Sequence, residues 1–386
     1  MSRRRCLPVA FVALFALCVA AGCADGGTPG VPSDGGVDAA TPDGGALPLG
    51  DALSVPRDET WRWVPIDGMR CADGSAGGMY TSFSSESDDF VLFLRGGGVC
   101  YDLQTCQLDA PMLDGLGPDP LGAWLAEGVA TRGIFDRSDA TNPLRHASFA
   151  VLPHCTGDFH LADRVSTYPP LEPLHQVGYE NVRVALTRLV PTFAHASRVV
   201  LAGFSAGGVG ALGNYDQVAS AFAQVGQPPP YLIVDAGPVL REPFLAAASQ
   251  AKIRAGWGLD ETLGPSCPSC AADGYHELVA RLRVLHPGVR SALVCAYEDM
   301  TVRVLYQLMG SGDYLGDEDR LRDGLRDFAT WADRLTPAGS SAQRELFYAS
   351  TRHGALIVAP LSDTPGLAAF LTAQLDDDPG WASVTP

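Results

Sequence analysis

Val199-Val200-Leu201-Ala202-Gly203-Phe204-Ser205-Ala206-Gly207 passes from branched apolar residues into a serine flanked by glycines, and the segment from Val209 to Phe222 follows it. The apolar run reads as a buried strand and the following segment as a helix. The turn between them has the form Gly-x-Ser-x-Gly, the pattern of a nucleophile elbow, in which a sharp bend pushes the serine hydroxyl clear of the backbone. Gly203 and Gly207 are needed there because a larger side chain would collide with the adjoining strand or helix. The five residues alone fit an idle glycine-rich turn equally well, so the partners of Ser205 must decide.

The same alternation continues along the chain. Phe90-Val91-Leu92-Phe93-Leu94, Phe149-Ala150-Val151-Leu152, Tyr231-Leu232-Ile233-Val234, Ala292 to Ala296 and Leu346-Phe347-Tyr348 all read as strands. Between them Val182, Ala185, Leu186 and Leu189 recur at helical spacing. Near-continuous apolar strands alternating with helices imply an α/β fold: an α/β-hydrolase-like, mostly parallel sheet with helices on both faces. Functional groups then belong on loops at the carboxyl ends of the strands.

The chain has 386 residues and is 46% hydrophobic, enough for a large core. Residues 1–23 read as a lipoprotein signal peptide: Arg3-Arg4-Arg5, an apolar stretch from Leu7 to Ala21 too short to span a bilayer, then Ala20-Ala21-Gly22-Cys23 with Cys23 as the lipidation candidate. An ordinary secretory cleavage near the same place is the alternative. Residues 24–50, rich in Gly, Asp, Pro, Ala and Thr, read as a disordered tether, and residues 51–386 as a single catalytic domain. The expectation is an exported protein anchored to a membrane by its N-terminal lipid, on the periplasmic or cell-surface side, or otherwise secreted. A net charge of −17 excludes nucleic acid as a partner, even with Asp25, Asp34, Asp38 and Asp43 assigned to the tether. The domain is expected to be a monomer.

Of ten cysteines, Cys6 and Cys18 fall in the signal and Cys23 in the lipid box. In an exported protein the remainder read as disulfides. Cys100 with Cys106, and Cys267 with Cys270, are close enough to close small loops, and Cys295 sits in an apolar run as the buried, unpaired one. A single Cys-x-x-Cys without a second pair or neighbouring histidines is a poor zinc site.

A serine hydroxyl needs a base to take its proton and an acid to orient that base, in the chain order nucleophile, acid, histidine. Three histidines follow Ser205: His276 in a helical segment, His286 before Pro287, and His353 in the loop Ser350-Thr351-Arg352-His353-Gly354 directly after the last strand. His353 has the position of the base. Asp299, after the strand ending near Ala296, is the preferred acid, with Glu298 and Asp235 as alternatives. Arg95-Gly96-Gly97-Gly98 follows the strand Phe90 to Leu94 as a glycine turn able to present backbone amides to an oxyanion, with the Ala206 amide as the second donor; a structural turn stapled by Cys100 and Cys106 is the competing, compatible reading. No phosphate-binding Gly-x-x-x-x-Gly-Lys motif is present.

Phe93-Leu94-Arg95-Gly96-Gly97-Gly98-Val99-Cys100-Tyr101-Asp102, Pro153-His154-Cys155-Thr156-Gly157-Asp158-Phe159-His160, the elbow extended to Asn214 and Asp216, and Asp235-Ala236-Gly237 together resemble the pectin acetylesterase and Notum family of carboxylesterases. The resemblance spans roughly residues 60 to 375. It implies deacylation of carboxylic esters on a glycan or protein through Ser205, Asp299 and His353, with an oxyanion hole built from Gly96, Gly97 and Ala206, without metal or cofactor, and pairing of Cys71 with Cys155. Arg95 stands where the family usually has glutamate, and Gly98-Val99 where it has an aromatic residue. These positions border the acyl pocket, so they bear on which ester is taken. Asp158 and His160 are read as caps of the Cys155 loop rather than as lining of the site. The expected reaction is removal of small acyl groups such as acetate. The alternatives are a lipase- or thioesterase-like hydrolase of longer acyl esters, and an inactive surface-binding lipoprotein of the same fold.

Overall fold

The computed structural model describes residues 46–108, 113–335 and 342–385. The expected signal peptide, Cys23 and the tether up to residue 45 lie outside the described residues. The strands are β1 (Arg62–Arg70), β2 (Ala76–Ser82), β3 (Asp89–Leu94), β4 (Ser148–Leu152), β5 (Arg164–Ser166), β6 (Leu174–Gln176), β7 (Arg198–Phe204), β8 (Tyr231–Asp235), β9 (Ser291–Ala296) and β10 (Gln343–Tyr348). Eight of them form one sheet in the order β1-β2-β4-β3-β7-β8-β9-β10, and β5 and β6 form a separate ribbon. From β4 to β10 all neighbours in the sheet are parallel, while β1 and β2 add an antiparallel edge.

Strand alternation divides the core into two layers. Phe90, Leu92, Leu94, Val199 and Leu201 face one cluster, and Val91, Phe93, Val200 and Ala202 face the other. The first layer is covered by the helices Gly178–Thr192 and Ala206–Ala223. The second is covered by Leu367–Leu375, which buries Leu367, Phe370 and Leu371. Burial on both faces is why the parallel strands read as unbroken apolar runs, and this is the α/β-hydrolase-like arrangement.

Four strands escaped the sequence reading: the edge strands β1 and β2, and the three-residue strands β5 and β6. β1 and β2 carry Pro65, Gly68, Gly77 and Gly78, which break the apolar runs, and the β1–β2 register shifts between Pro65 and Arg70. The tether also ends earlier than residue 50. Leu47 packs against the core and the Gly50 amide donates to the Thr187 carbonyl at 3.0 Å, while Leu49 stays exposed.

Three disulfides fasten the domain. Cys71–Cys155 ties the end of β1 to the loop after β4, Cys100–Cys106 closes the segment after the glycine turn, and Cys267–Cys270 closes a short helical loop. Cys295 is free and buried.

Glu345, in the outermost parallel strand, is 1% exposed and accepts hydrogen bonds from Ser383 Oγ at 2.9 Å and Gln343 Nε2 at 3.2 Å. Burial pushes its carboxyl up to about 7, against the donors that favour the ionised form. The folded state thus holds this proton more tightly than the unfolded chain. Its stabilising effect is complete below the ordinary glutamate range and is lost as pH rises through about 7. Glu345→Gln is therefore expected to gain folding stability relative to the parent between pH 5 and pH 8 and to level off above, by at most on the order of 3 kcal/mol. A difference that does not change with pH would refute this.

Candidate active site

The turn after β7 holds Ser205 at φ 57° and ψ −122°, a strained conformation for a residue with a side chain. Close crossing of the chain enforces it. A Cβ on Gly203 would lie 2.0 Å from the Gly207 carbonyl oxygen, and one on Gly207 would lie 2.0 Å from the Leu94 carbonyl oxygen. The Ser205 amide donates to the Asp235 carbonyl at 2.7 Å, which pins the turn to the end of β8. Ala206 opens the helix Ala206–Ala223, where the first amides have no partner within the helix and the dipole favours negative charge. The glycine turn after β3 lies against the same point: a Cβ on Gly96 would be 2.6 Å from the Phe204 carbonyl oxygen and 2.8 Å from Ser205 Cβ. Gly97 beside it is exposed.

The three acids weighed from the sequence all converge on one loop, Ser350 to Leu356, but on different atoms. Asp299 is fully buried and lies 2.9 Å (Oδ2) and 3.0 Å (Oδ1) from His353 Nδ1. A carboxylate only accepts, so Nδ1 carries the hydrogen and Nε2 is left as the free acceptor. Asp299 Oδ1 also accepts the Thr301 and Val302 amides, both at 3.0 Å, as N-cap of the helix Met300–Leu308. Glu298 accepts the Ser350 amide at 3.0 Å and pairs with Arg322. Asp235 accepts the Ala355 amide at 2.9 Å and the Leu356 amide at 2.8 Å, both on Oδ2. Of the three, only Asp299 touches the imidazole. The Phe204 ring packs on His353 at 4.8 Å, and a Cβ on Gly354 would lie 2.2 Å from Phe204 Cε2, so glycine is required there at φ +78°.

Ser205, Ala206 and His353 open on one cavity of about 60 Å³. Its other walls are almost wholly apolar and include Val209, Ile253, Trp257, Val302, Leu305 and Met309. Most of them come from helices between β8 and β10, and nothing in the sequence reading had marked these as site residues. The other two histidines lie elsewhere: His286 bonds Asp216 at 2.9 Å and His276 packs on Trp331 at 4.9 Å. Arg95 points away from the glycine turn, pairing with Glu127 and stacking over the Trp124 ring at 5.1 Å. Asp158 does cap the loop after Cys155, accepting from Thr156 Oγ1 and the His160 amide, but the His160 ring leaves that loop and meets the Arg95 carbonyl at 2.9 Å.

The sequence model of the family described as Pectinacetylesterase matches residues 64–242, which hold the glycine turn, the Cys155 loop and the elbow. The palmitoleoyl-protein carboxylesterase NOTUM of Drosophila melanogaster is 30% identical over 215 residues, covering 51% of this chain and 31% of that protein. Human NOTUM is 28% identical over 162 residues, covering 42% of this chain and 32% of that protein. Residues 64–242 of this chain thus carry the sequence pattern of the pectin acetylesterase and Notum family. The chain's matches span about a third of the length of those relatives. The structure of the Wnt deacylase Notum from Drosophila superposes with a TM-score of 0.63 at 18% identity, covering 84% of this chain and 95% of that chain, which is a likeness of fold.

Asp235 has no access to solvent, and burial raises its carboxyl to about 6 despite the two amides. Replacing it with alanine leaves both of these donors without their acceptor. Asp235→Ala is expected to speed hydrogen exchange at the Ala355 and Leu356 amides at least tenfold while leaving the Ser350 amide, held by Glu298, unchanged. Uniform exchange across the loop in both proteins would show that Asp235 does not clamp it.

Proposed function

We propose that the chain is a carboxylic ester hydrolase that works through an acyl-enzyme on Ser205. His353 Nε2 takes the Ser205 proton as the oxygen attacks the ester carbonyl, and the amides of Gly96, Gly97 and Ala206 receive the oxyanion. The ester C–O bond then breaks, His353 returns the proton to the leaving alcohol, and water repeats the sequence to free the acid. Asp299 keeps the proton on Nδ1 and steadies the imidazolium. The observation that carries this reading is that Ser205 and His353 line one cavity while both oxygens of the buried Asp299 lie on Nδ1. An inactive binder of the same fold has no use for that alignment.

The cavity favours a longer acyl group than acetate. The space of about 60 Å³ beside Ser205 and His353 is bounded by apolar side chains such as Ile253, Trp257 and Leu305. The apolar wall supplies no partner for a hydrated or charged substituent. The substrate class proposed is an ester of an apolar acyl chain longer than acetyl with an alcohol on a glycan or a protein. Three disulfides support an oxidising, exported location. Anchoring through Cys23 at the cell envelope completes the proposal.

Each methylene buried in such a pocket adds about 0.8 kcal/mol, roughly fourfold in kcat/KM. Hydrolysis of acetyl, butyryl and octanoyl esters by the mature domain is expected to rise along the series, and Ser205→Ala is expected to abolish it. Ile253→Trp, which fills the cavity, is expected to lower octanoyl turnover at least tenfold and acetyl turnover less than threefold. Equal turnover by the parent and Ser205→Ala would end the proposal. A preference for acetyl would end the assignment of chain length.

A further inference from the structure

We propose that His160 is a positioning residue, which aims the backbone of the glycine turn at Ser205 by holding the carbonyl of Arg95. The inference rests on the acyl-transfer reading of the site and adds a residue to it. His160 Nε2 lies 2.9 Å from the Arg95 carbonyl oxygen. A carbonyl only accepts, so Nε2 is the protonated nitrogen of the ring. The residue is 2% exposed, and burial lowers its imidazole to about 4, so the ring is neutral at physiological pH and this one N–H is its only donor.

The direction of that bond matters because of the peptide it holds. The Arg95–Gly96 peptide is trans, so the N–H of Gly96 leaves on the edge opposite the Arg95 carbonyl. β3 lies between β4 and β7, and the Arg95 amide donates to Leu152 at the end of β4. In an extended strand the N–H and C=O of one residue point to the same side, so the Arg95 carbonyl also faces β4, where His160 meets it. The Gly96 N–H is thereby turned to the β7 side, which is the side of Ser205. Rotation of this peptide would carry the proposed donor away from the oxyanion and put a carbonyl in its place.

The chain goes to some lengths to hold His160 there. Phe159 and His160 both have positive φ, at 56° and 60°, two left-handed residues in succession with side chains. Asp158 Oδ1 accepts the His160 amide at 3.0 Å, and Asp158 Oδ2 accepts the Gly178 amide at 2.8 Å. Asn214 of the elbow helix donates to the His160 carbonyl at 2.8 Å. On the same helix Gly210 makes the room: a Cβ there would lie 2.5 Å from the Phe159 carbonyl oxygen and 3.1 Å from the His160 ring. His160 is thus wedged between the elbow helix, at Gly210 and Asn214, and the Arg95 carbonyl at the start of the glycine turn.

The test compares His160→Leu with His160→Gln. Both carry the same penalty for the left-handed backbone, but only glutamine retains an N–H able to reach Arg95. His160→Leu is expected to lower kcat for butyryl ester ten- to hundredfold with KM changed less than threefold. Its affinity for an alkylboronic acid, which forms a tetrahedral adduct on serine, is expected to fall by the same factor as kcat/KM. His160→Gln is expected to recover at least a third of parental kcat. Titration of Ser205 with a fluorophosphonate counts the correctly folded sites in each preparation, so rates are compared per site. Parental kcat in His160→Leu, or equal loss in both variants per titrated site, would overturn the inference while leaving the acyl-enzyme reading intact. Hydrolysis by Ser205→Ala at the parental rate would overturn both.

Discussion

Asp235 is bonded to both halves of the candidate site, and the geometry there depends on it. Its carbonyl accepts the Ser205 amide and its carboxylate accepts the amides of Ala355 and Leu356, two and three residues beyond His353. β8 therefore acts as a common post, with the nucleophile turn on one side and the histidine loop on the other. A buried carboxylate is costly unless its acceptors are filled, and here the acceptors are filled by the backbone of the loop it holds. The same amides, left without Asp235, would be orphaned in a closed part of the structure. Cost and constraint thus fall on one residue.

The parallel sheet extends that logic outward. Leu94 is in register with Gly203, Phe204 with Asp235, and Tyr348 with Ala296, so the loops after β3, β7, β8, β9 and β10 leave the sheet at one level. No loop has to travel far to meet its neighbour. The glycines carry what the register leaves over: Gly96, Gly203, Gly207 and Gly354 sit where backbones or rings approach closer than a Cβ permits. Ser205 alone among these close approaches keeps its side chain, and its φ of 57° records the strain.

The sheet was legible because burial on both faces writes itself as uninterrupted Val, Leu, Ile and Phe, and the elbow because its glycines are sterically compelled. The edge strands β1 and β2 were not, since proline, glycine and a register shift disrupt both the run and the alternation. Asp299, Glu298 and Asp235 looked alike in sequence for a physical reason: each follows a strand and each does bind the histidine loop. What separates them is whether the contact falls on a ring nitrogen or on a backbone amide, and that is a matter of a few ångströms of register with no trace in the order of residues. His160 was assigned to its local loop because its partner, Arg95, is 65 residues away.

The apolar cavity lay furthest from what a sequence discloses. Its walls are drawn one or two residues at a time from Phe159, Val209, Val239, Ile253, Trp257 and the helix that begins at Asp299. Each of these residues also fits the ordinary pattern of a helix burying one face, so none announces a ligand. Yet the helix Met300–Leu308 links the two functions directly. Its N-cap, Asp299, orients His353, while Val302 and Leu305, on its inner face, line the space beside Ser205. A change that shifts this helix to widen or narrow the cavity must also move the carboxylate that sets the tautomer of the base. On the proposed mechanism, acyl-chain selection and base orientation are therefore mechanically coupled. That coupling confines adjustment of chain length to wall residues outside the helix, such as Ile253 and Trp257.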